Sequence, residues 1–247
     1  MPTSNAPEKL RTSTPASPKT GNGAQAGLNT GAHAVHTTGT IPPHENHDEY
    51  AIIAPWYDLV TARLLRPVRR RMVRLCRENG WGNMLDIGCG TGELLSLLHE
   101  EGIGARGIDN SPAMLAEARR RHPGMSGLTF AGLPAPFPDA SFDAVILSLV
   151  LHESRDGGQA VLLEALRLAP QVMILEWRMP ERNIDYPGQL ITHSIERLAG
   201  KAHYARFRAF ARAGWLRGLA YENAVRLVRE EAVAGGLLTL AVAENAV

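Results

Sequence analysis

Leu85-Asp86-Ile87-Gly88-Cys89-Gly90-Thr91-Gly92-Glu93 reads as the end of a strand, a glycine turn and the first residue of a helix. Gly88, Gly90 and Gly92 let the backbone turn tightly and come close to a ligand. A dinucleotide fingerprint would run Gly-x-Gly-x-x-Gly and rest a pyrophosphate on the helix N-terminus. Here the position of that third glycine is Glu93, and Asp86 stands two residues before the first glycine. Carboxylates at both ends of the loop repel a pyrophosphate and tolerate a ligand with a cationic end. A nicotinamide-dependent oxidoreductase is therefore disfavoured.

Outward from this loop, strand-like and helix-like segments alternate. Asn83–Ile87, Ala105–Asp109, Leu128–Phe130, Asp143–Leu149 and Val172–Glu176 are short apolar runs. The fourth is the most apolar, as expected of a strand covered on both faces. Helical patterns at Glu93–Glu101, Pro112–Arg121 and Ala160–Leu168 lie between them, and Ser111 can cap the helix that Pro112 opens. Val225–Arg229 and Leu237–Val242, joined through Gly235-Gly236, read as a terminal strand pair. The expected fold is α/β: a Rossmann-like, doubly wound seven-stranded sheet, mostly parallel with an antiparallel last strand. Ligands of such sheets bind beyond the carboxyl ends of the strands. Those ends carry Asp86, Asp109, Ala131, Ser148 and Glu176.

S-adenosylmethionine meets the demands of the loop, having an ammonium group, a sulfonium and no phosphate. Asp109 ends the second strand 23 residues after Asp86, where a carboxylate can accept hydrogen bonds from both ribose hydroxyls. Leu85–Gly92, Gly107-Ile108-Asp109-Asn110-Ser111-Pro112-Ala113-Met114-Leu115 and Pro136-Phe137-Pro138-Asp139-Ala140-Ser141-Phe142-Asp143 together resemble class I S-adenosylmethionine-dependent methyltransferases. The branch is similar to the ubiquinone/menaquinone-biosynthesis C-methyltransferases, with a methyltransferase type 11-like domain. The entry segment Tyr50–Asp58 and the Ala213-Gly214-Trp215 turn fit that branch, and the resemblance extends from about Tyr50 to Val242. It implies that Asp86, Gly88, Cys89, Gly90 and Thr91 line the methionine end and that Asp109 holds the ribose. It further implies that Asn110 and Met114 lie beside the adenine, Ala131 and Gly132 at its edge, and Ser148 at the methionine moiety. Many relatives have an acid or amide at position 131. Here it is Ala131, with no acid between Pro123 and Pro138, so backbone groups and apolar packing such as Leu133 must hold the adenine. One hydrogen bond of this kind is worth about 1 kcal/mol.

The methyl acceptor is harder to read. Methyl transfer is an in-line displacement that positioning and desolvation can drive, so a base is optional. The fourth strand runs into Ser148-Leu149-Val150-Leu151-His152-Glu153 and lacks the Asn/Asp-Pro-Pro-Tyr/Phe motif that grips planar amino groups. His152 is a candidate base, or else a histidine packed beside the site. Tyr57 is a candidate to close over the cofactor, or a core aromatic. Glu176 could orient an acceptor or bind helix-end amides. Residues 178–204 form an insertion over the acceptor in this family, with a helix at Gln189–Leu198 stopped by Gly200 and polar groups at Tyr186, His193, His203, Tyr204 and Arg206.

Seven arginines fall between Arg63 and Arg77. Leu64, Leu65, Val68, Met72, Leu75 and Cys76 share one helical face, with Arg66, Arg70, Arg74 and Arg77 opposite; Pro67 is expected to open the main helix and Asn79-Gly80 to end it. Such a face suits peripheral contact with anionic lipid, which would accord with a lipid-quinone substrate.

The 247 residues carry a formal charge of +1, with 45% hydrophobic and 21% charged residues, and nothing global points to nucleic acid. Residues 1–48 hold only five large apolar residues (Met1, Leu10, Leu28, Val35 and Ile41) and are expected to be a disordered tail. The tail contains His33, His36, His44 and His47, and nothing rigid to hold a metal with them. Residues 49–247 form the expected catalytic domain. Two cysteines, Cys76 and Cys89, are too few for a thiolate metal site or a disulfide framework, so no metal is expected. No secretory signal or spanning segment is visible, which suggests a cytoplasmic protein. The expected partner is a small-molecule methyl acceptor, with S-adenosylhomocysteine as co-product. A cofactor-binding regulator or scaffold without turnover is the alternative.

Overall fold

The structure, a computed structural model, describes Ala54 and residues 57–181 and 186–246, without the side chains of residues 57–60, 62, 186 and 187. The tail with its four histidines, the 48/49 boundary, most of the entry segment and the side chains of Tyr57 and Tyr186 lie outside the described residues. Helix α1 (Tyr57–Asn79) precedes β1 (Asn83–Ile87), α2 (Glu93–Glu100), β2 (Gly104–Asp109), α3 (Pro112–Arg121) and β3 (Leu128–Phe130). Then follow β4 (Ala144–Ser148), α4 (Gln159–Leu168), β5 (Gln171–Trp177), α5 (Tyr186–Leu198), α6 (Lys201–Arg212) and α7 (Trp215–Glu222). The chain returns to the sheet through β6 (Val225–Val233) and β7 (Leu238–Asn245).

The seven strands lie in the order β3-β2-β1-β4-β5-β7-β6. Strands β1 to β5 pair in parallel, and β7 is antiparallel to both β5 and β6. The sheet is therefore doubly wound, as its alternating pattern implies. Its two halves diverge where β1 sits between β2 and β4, which opens a crevice at the carboxyl ends of those strands. The sheet centre is dry: Met84, Leu85, Ala144, Val145, Ile146 and Leu147 have no exposed surface. Burying each such large aliphatic side chain contributes about 1.5–3 kcal/mol. Ser111 caps α3 as expected, its Oγ accepting from the Met114 N–H at 3.1 Å.

One expectation needs correction. Pro67 lies inside α1, which begins ten residues earlier, at Tyr57. A proline mid-helix removes one backbone donor but leaves the apolar stripe of Leu65, Val68, Met72, Leu75 and Cys76 buried, and that packing carries the helix through. Between the Ala213-Gly214-Trp215 turn and the last strands lies a helix that the sequence reading did not include. The eight-residue α7 intervenes, burying Trp215, Leu216, Leu219 and Ala220.

The arginine face of α1 is only partly as read. Arg66, Arg70, Arg74 and Arg77 are exposed. Arg71 pairs with Glu78 and Glu231, Arg77 pairs with Glu101, and Arg69 is buried. No helix among the described residues is long and apolar enough to cross a membrane.

Candidate functional site

Two adjoining cavities open at the carboxyl ends of β1, β2 and β4. The smaller, about 100 Å³, is lined by Asp86, Gly88, Cys89, Gly90, Thr91, Asp109, Asn110, Met114 and Ser148. The larger, about 590 Å³, is lined by Ala131, Gly132 and Leu133, and shares Gly88, Asp109, Asn110, Val150 and Glu153 with the first. Every residue expected to hold the cofactor thus stands on a wall of this crevice, whose size is usual for a small-ligand site.

Local geometry explains the glycines. Gly88, Gly90 and Gly92 have φ of 76°, 53° and 76°, a region that disfavours side chains. A Cβ on Gly88 would also lie 3.0 Å from Val150 Cγ2. Val150 is brought there by a sharp turn at Leu149, itself at φ 59°, which ends β4. Four of the N–H groups of this loop are engaged within the protein. Those of Gly88 and Cys89 donate to the Ile108 carbonyl at 2.8 and 3.1 Å, that of Gly92 to the Cys89 carbonyl, and that of Gly90 to Asp109 Oδ2 at 2.8 Å. A pyrophosphate needs such donors free, so the loop suits a phosphate-free ligand. Glu93, read as a repelling carboxylate, turns instead toward His122, 3.8 Å away, and lines neither cavity.

Asp86 carries the clearest ligand signal. Its side chain is 2% exposed, and its Oδ1 is buried with no hydrogen-bond partner. Burial, and then the negative charge of Asp109, push its carboxyl up to about 7, while Arg69 pulls in the other direction. Keeping it ionised in the fold costs about 4 kcal/mol relative to water, comparable to the whole gain from two buried aliphatic side chains. A cationic group against Oδ1 would recover that cost. Asp109, anchored by the N–H groups of Gly90 and Ser111, is 9% exposed. Burial and both aspartates push the Cys89 thiol up, so it is a weak nucleophile in place.

The sequence reading missed Arg69 and Glu153. Arg69 lines the smaller cavity from α1. It lies four residues after Leu65 and three before Met72, on the apolar face, so helical spacing alone could have found it. Glu153 lines both cavities, and Arg206 lines the larger.

His152 lines neither cavity. It is 2% exposed, its Nδ1 lies 2.7 Å from Glu176 Oε1, and its rings neighbour Trp177, His203 and Phe207. Burial disfavours its charged form, but Glu176, Glu196 and Glu153 outweigh burial and raise it to about 9. Glu176 is fully buried and also accepts from the backbone N–H groups of His152 and Trp177, so it orients the histidine and not an acceptor. His203 Nε2 lies 2.7 Å from Glu196, which also accepts from Trp177 Nε1 at 2.6 Å. Burial would raise the Glu196 carboxyl, yet these donors together with His152 hold it below its usual value. His193 meets the Tyr204 hydroxyl at 3.0 Å.

Residues 85–171 match a family model described as a methyltransferase domain. A demethylmenaquinone methyltransferase of Thermus thermophilus is 34% identical over 145 residues, covering 54% of this chain and 66% of that protein. The chain spans between 51% and 66% of the length of the first curated relatives that it matches. Among solved structures, an O-methyltransferase family protein from Burkholderia thailandensis superimposes with a TM-score of 0.60 at 17% identity, covering 78% of this chain and 59% of that one. The magnesium protoporphyrin IX methyltransferase of Synechocystis PCC 6803 with bound SAH gives 0.51 at 18% identity, covering 72% and 82%.

Proposed function

The chain carries a methyltransferase domain on the class I methyltransferase fold, and from that premise we propose that it is an S-adenosylmethionine-dependent methyltransferase acting on a small, quinone-like acceptor. The observation that carries this is the buried, unpartnered Oδ1 of Asp86 beside a loop in which the N–H groups of Gly88, Cys89, Gly90 and Gly92 are already engaged. When bound, S-adenosylmethionine supplies a methyl group on a positively charged sulfur.

The residues of the chain fit that group. Asp86 takes the ammonium, with Arg69 tempering the carboxylate. Asp109 accepts from the ribose hydroxyls while the N–H groups of Gly90 and Ser111 hold it still. Ala131, Gly132 and Leu133 offer the adenine an apolar wall and backbone groups. Ser148, Leu149 and Val150 close the methionine end. Water exclusion and alignment of the two reactants are the main contributions asked of the protein. His152 is given no contact with the acceptor, because it is buried and lines neither cavity. The quinone-like acceptor draws its support from the Thermus thermophilus relative named as a demethylmenaquinone methyltransferase.

Calorimetry with S-adenosylmethionine, S-adenosylhomocysteine and a nicotinamide dinucleotide, followed by turnover on a panel of quinols, phenols and amines, tests this. The first two should bind and the dinucleotide should not, and a quinol lacking one ring methyl should turn over best. Failure of both adenosyl ligands to bind would remove the reading. Binding without turnover on any acceptor would favour a regulatory protein.

A further inference from the structure

His152, Glu153 and His203 come together from the β4–α4 loop and α6, with one potential ligand atom of each within 4.8 Å of the others. We propose that they form a binding site for a divalent transition-metal ion of the zinc class, held by the imidazoles of His152 and His203 and the Glu153 carboxylate.

One ring nitrogen of each histidine already faces a carboxylate. His152 Nδ1 is 2.7 Å from Glu176, and His203 Nε2 is 2.7 Å from Glu196. A carboxylate on the far nitrogen is the arrangement by which proteins orient metal-bound imidazoles and raise their basicity. It turns His152 Nε2 toward the shared space, where Glu196 and Glu153 stand off at 3.6 and 4.0 Å, beyond hydrogen-bond range. The supporting carboxylates are themselves pinned: Glu176 by two backbone N–H groups and Glu196 by the Trp177 indole.

Helix α5 bears the cost of this cluster. It buries Thr192 and Glu196 while Leu190, Ile191, Ile195 and Leu198 stand exposed, the reverse of ordinary amphipathic packing. Metal–nitrogen and metal–oxygen bonds of about 2.0–2.2 Å leave tetrahedral ligand atoms about 3.4 Å apart, so the three must close by roughly 1.4 Å. Glu153, 29% exposed, is the least buried of the three and the member to move. Imidazole nitrogens select zinc-like ions over magnesium or calcium. Three protein ligands leave a fourth position for water or a ligand oxygen, and Glu153 borders both cavities, so the ion stands beside the crevice. The cysteine count argued only against a thiolate site; this one is built of nitrogen and oxygen.

The test is independent of the methyltransferase reading. The full chain, with His33, His36, His44 and His47 changed to alanine to remove tail binding, is stripped with EDTA and titrated with Co²⁺. One equivalent should produce the visible bands of tetrahedral Co²⁺, and one equivalent of Zn²⁺ should abolish them. Glu153→Gln and His203→Ala should each weaken binding at least tenfold, and Glu176→Gln by roughly 10–100-fold. Circular dichroism verifies that each variant is folded, and Glu153→Gln, at a partly exposed position, keeps the test decisive if a histidine variant is not. No Co²⁺ spectrum below millimolar concentration, or one unchanged in Glu153→Gln, would overturn the site.

Discussion

Acidifying from pH 7 to pH 5.5 should weaken the binding of S-adenosylhomocysteine roughly fourteenfold if, as proposed, the group that receives its ammonium is Asp86. Burial and the neighbouring Asp109 raise this carboxyl to about 7 in the free protein. The ligand's ammonium favours the ionised form, so the carboxyl of the complex titrates lower. Affinity therefore falls as the pH is lowered through about 7, because a proton must leave Asp86 on binding. A group with that midpoint is about half ionised at pH 7 and about 3% ionised at pH 5.5, a ratio of roughly sixteen. The ligand's own amine, ordinarily titrating at about 7.7–8.0, is slightly more protonated in acid and trims the ratio to about fourteen. An ordinary aspartate, near 3.9, would remain more than about 95% ionised throughout and give a flat profile. Calorimetry in two buffers of different ionisation enthalpy measures both quantities, and at pH 5.5 close to one proton should be released per ligand bound. Asp86→Asn should bind weakly with no pH dependence over this range. A flat affinity in the parent protein, with no proton released, would refute the assignment of Asp86 to the ammonium.

Three further outcomes are expected. Asp109→Ala should weaken binding of S-adenosylmethionine at least tenfold in the same assay, and an unchanged affinity would remove the ribose assignment. Arg69→Met takes away the one positive charge that pulls the Asp86 carboxyl down, so the midpoint of the affinity–pH curve should move upward; an unmoved midpoint would mean that Arg69 does not act on Asp86. Gly107→Ala puts a Cβ 2.5 Å from Leu95 Cδ1 and 2.9 Å from Cys89 Cβ, so urea denaturation should show a loss of about 1–3 kcal/mol, and an unchanged midpoint would contradict the close packing behind the loop.

Strand β1, strand β3 and helix α3 could be read from the sequence to the residue, because each carries its own local signal. Short apolar runs mark strands covered by helices, and Ser111-Pro112 announces a helix start whatever follows. Helix α7 was missed because Gly218 and its eight-residue length leave little periodicity to read. Pro67 misled for the opposite reason: its local preference is real, but the buried stripe on both sides of it is stronger.

The cofactor crevice was legible and the chemistry around His152 was not. Asp86, the three glycines and Asp109 are set by backbone conformation within a few residues, and a parallel sheet brings strand ends to one edge without further instruction. The sequence by itself therefore determined the fold class and the strand ends at which the crevice opens. Tertiary structure alone decided that Arg69 turns inward, that Glu93 turns away toward His122, and that His152 is locked to Glu176 rather than facing an acceptor. Those outcomes depend on charges and packing surfaces from segments distant along the chain: Glu176 is 24 residues from His152, and Glu196 and His203 reach it from α5 and α6. Burial and electrostatic pairing are properties of three-dimensional neighbours, and no local pattern encodes them.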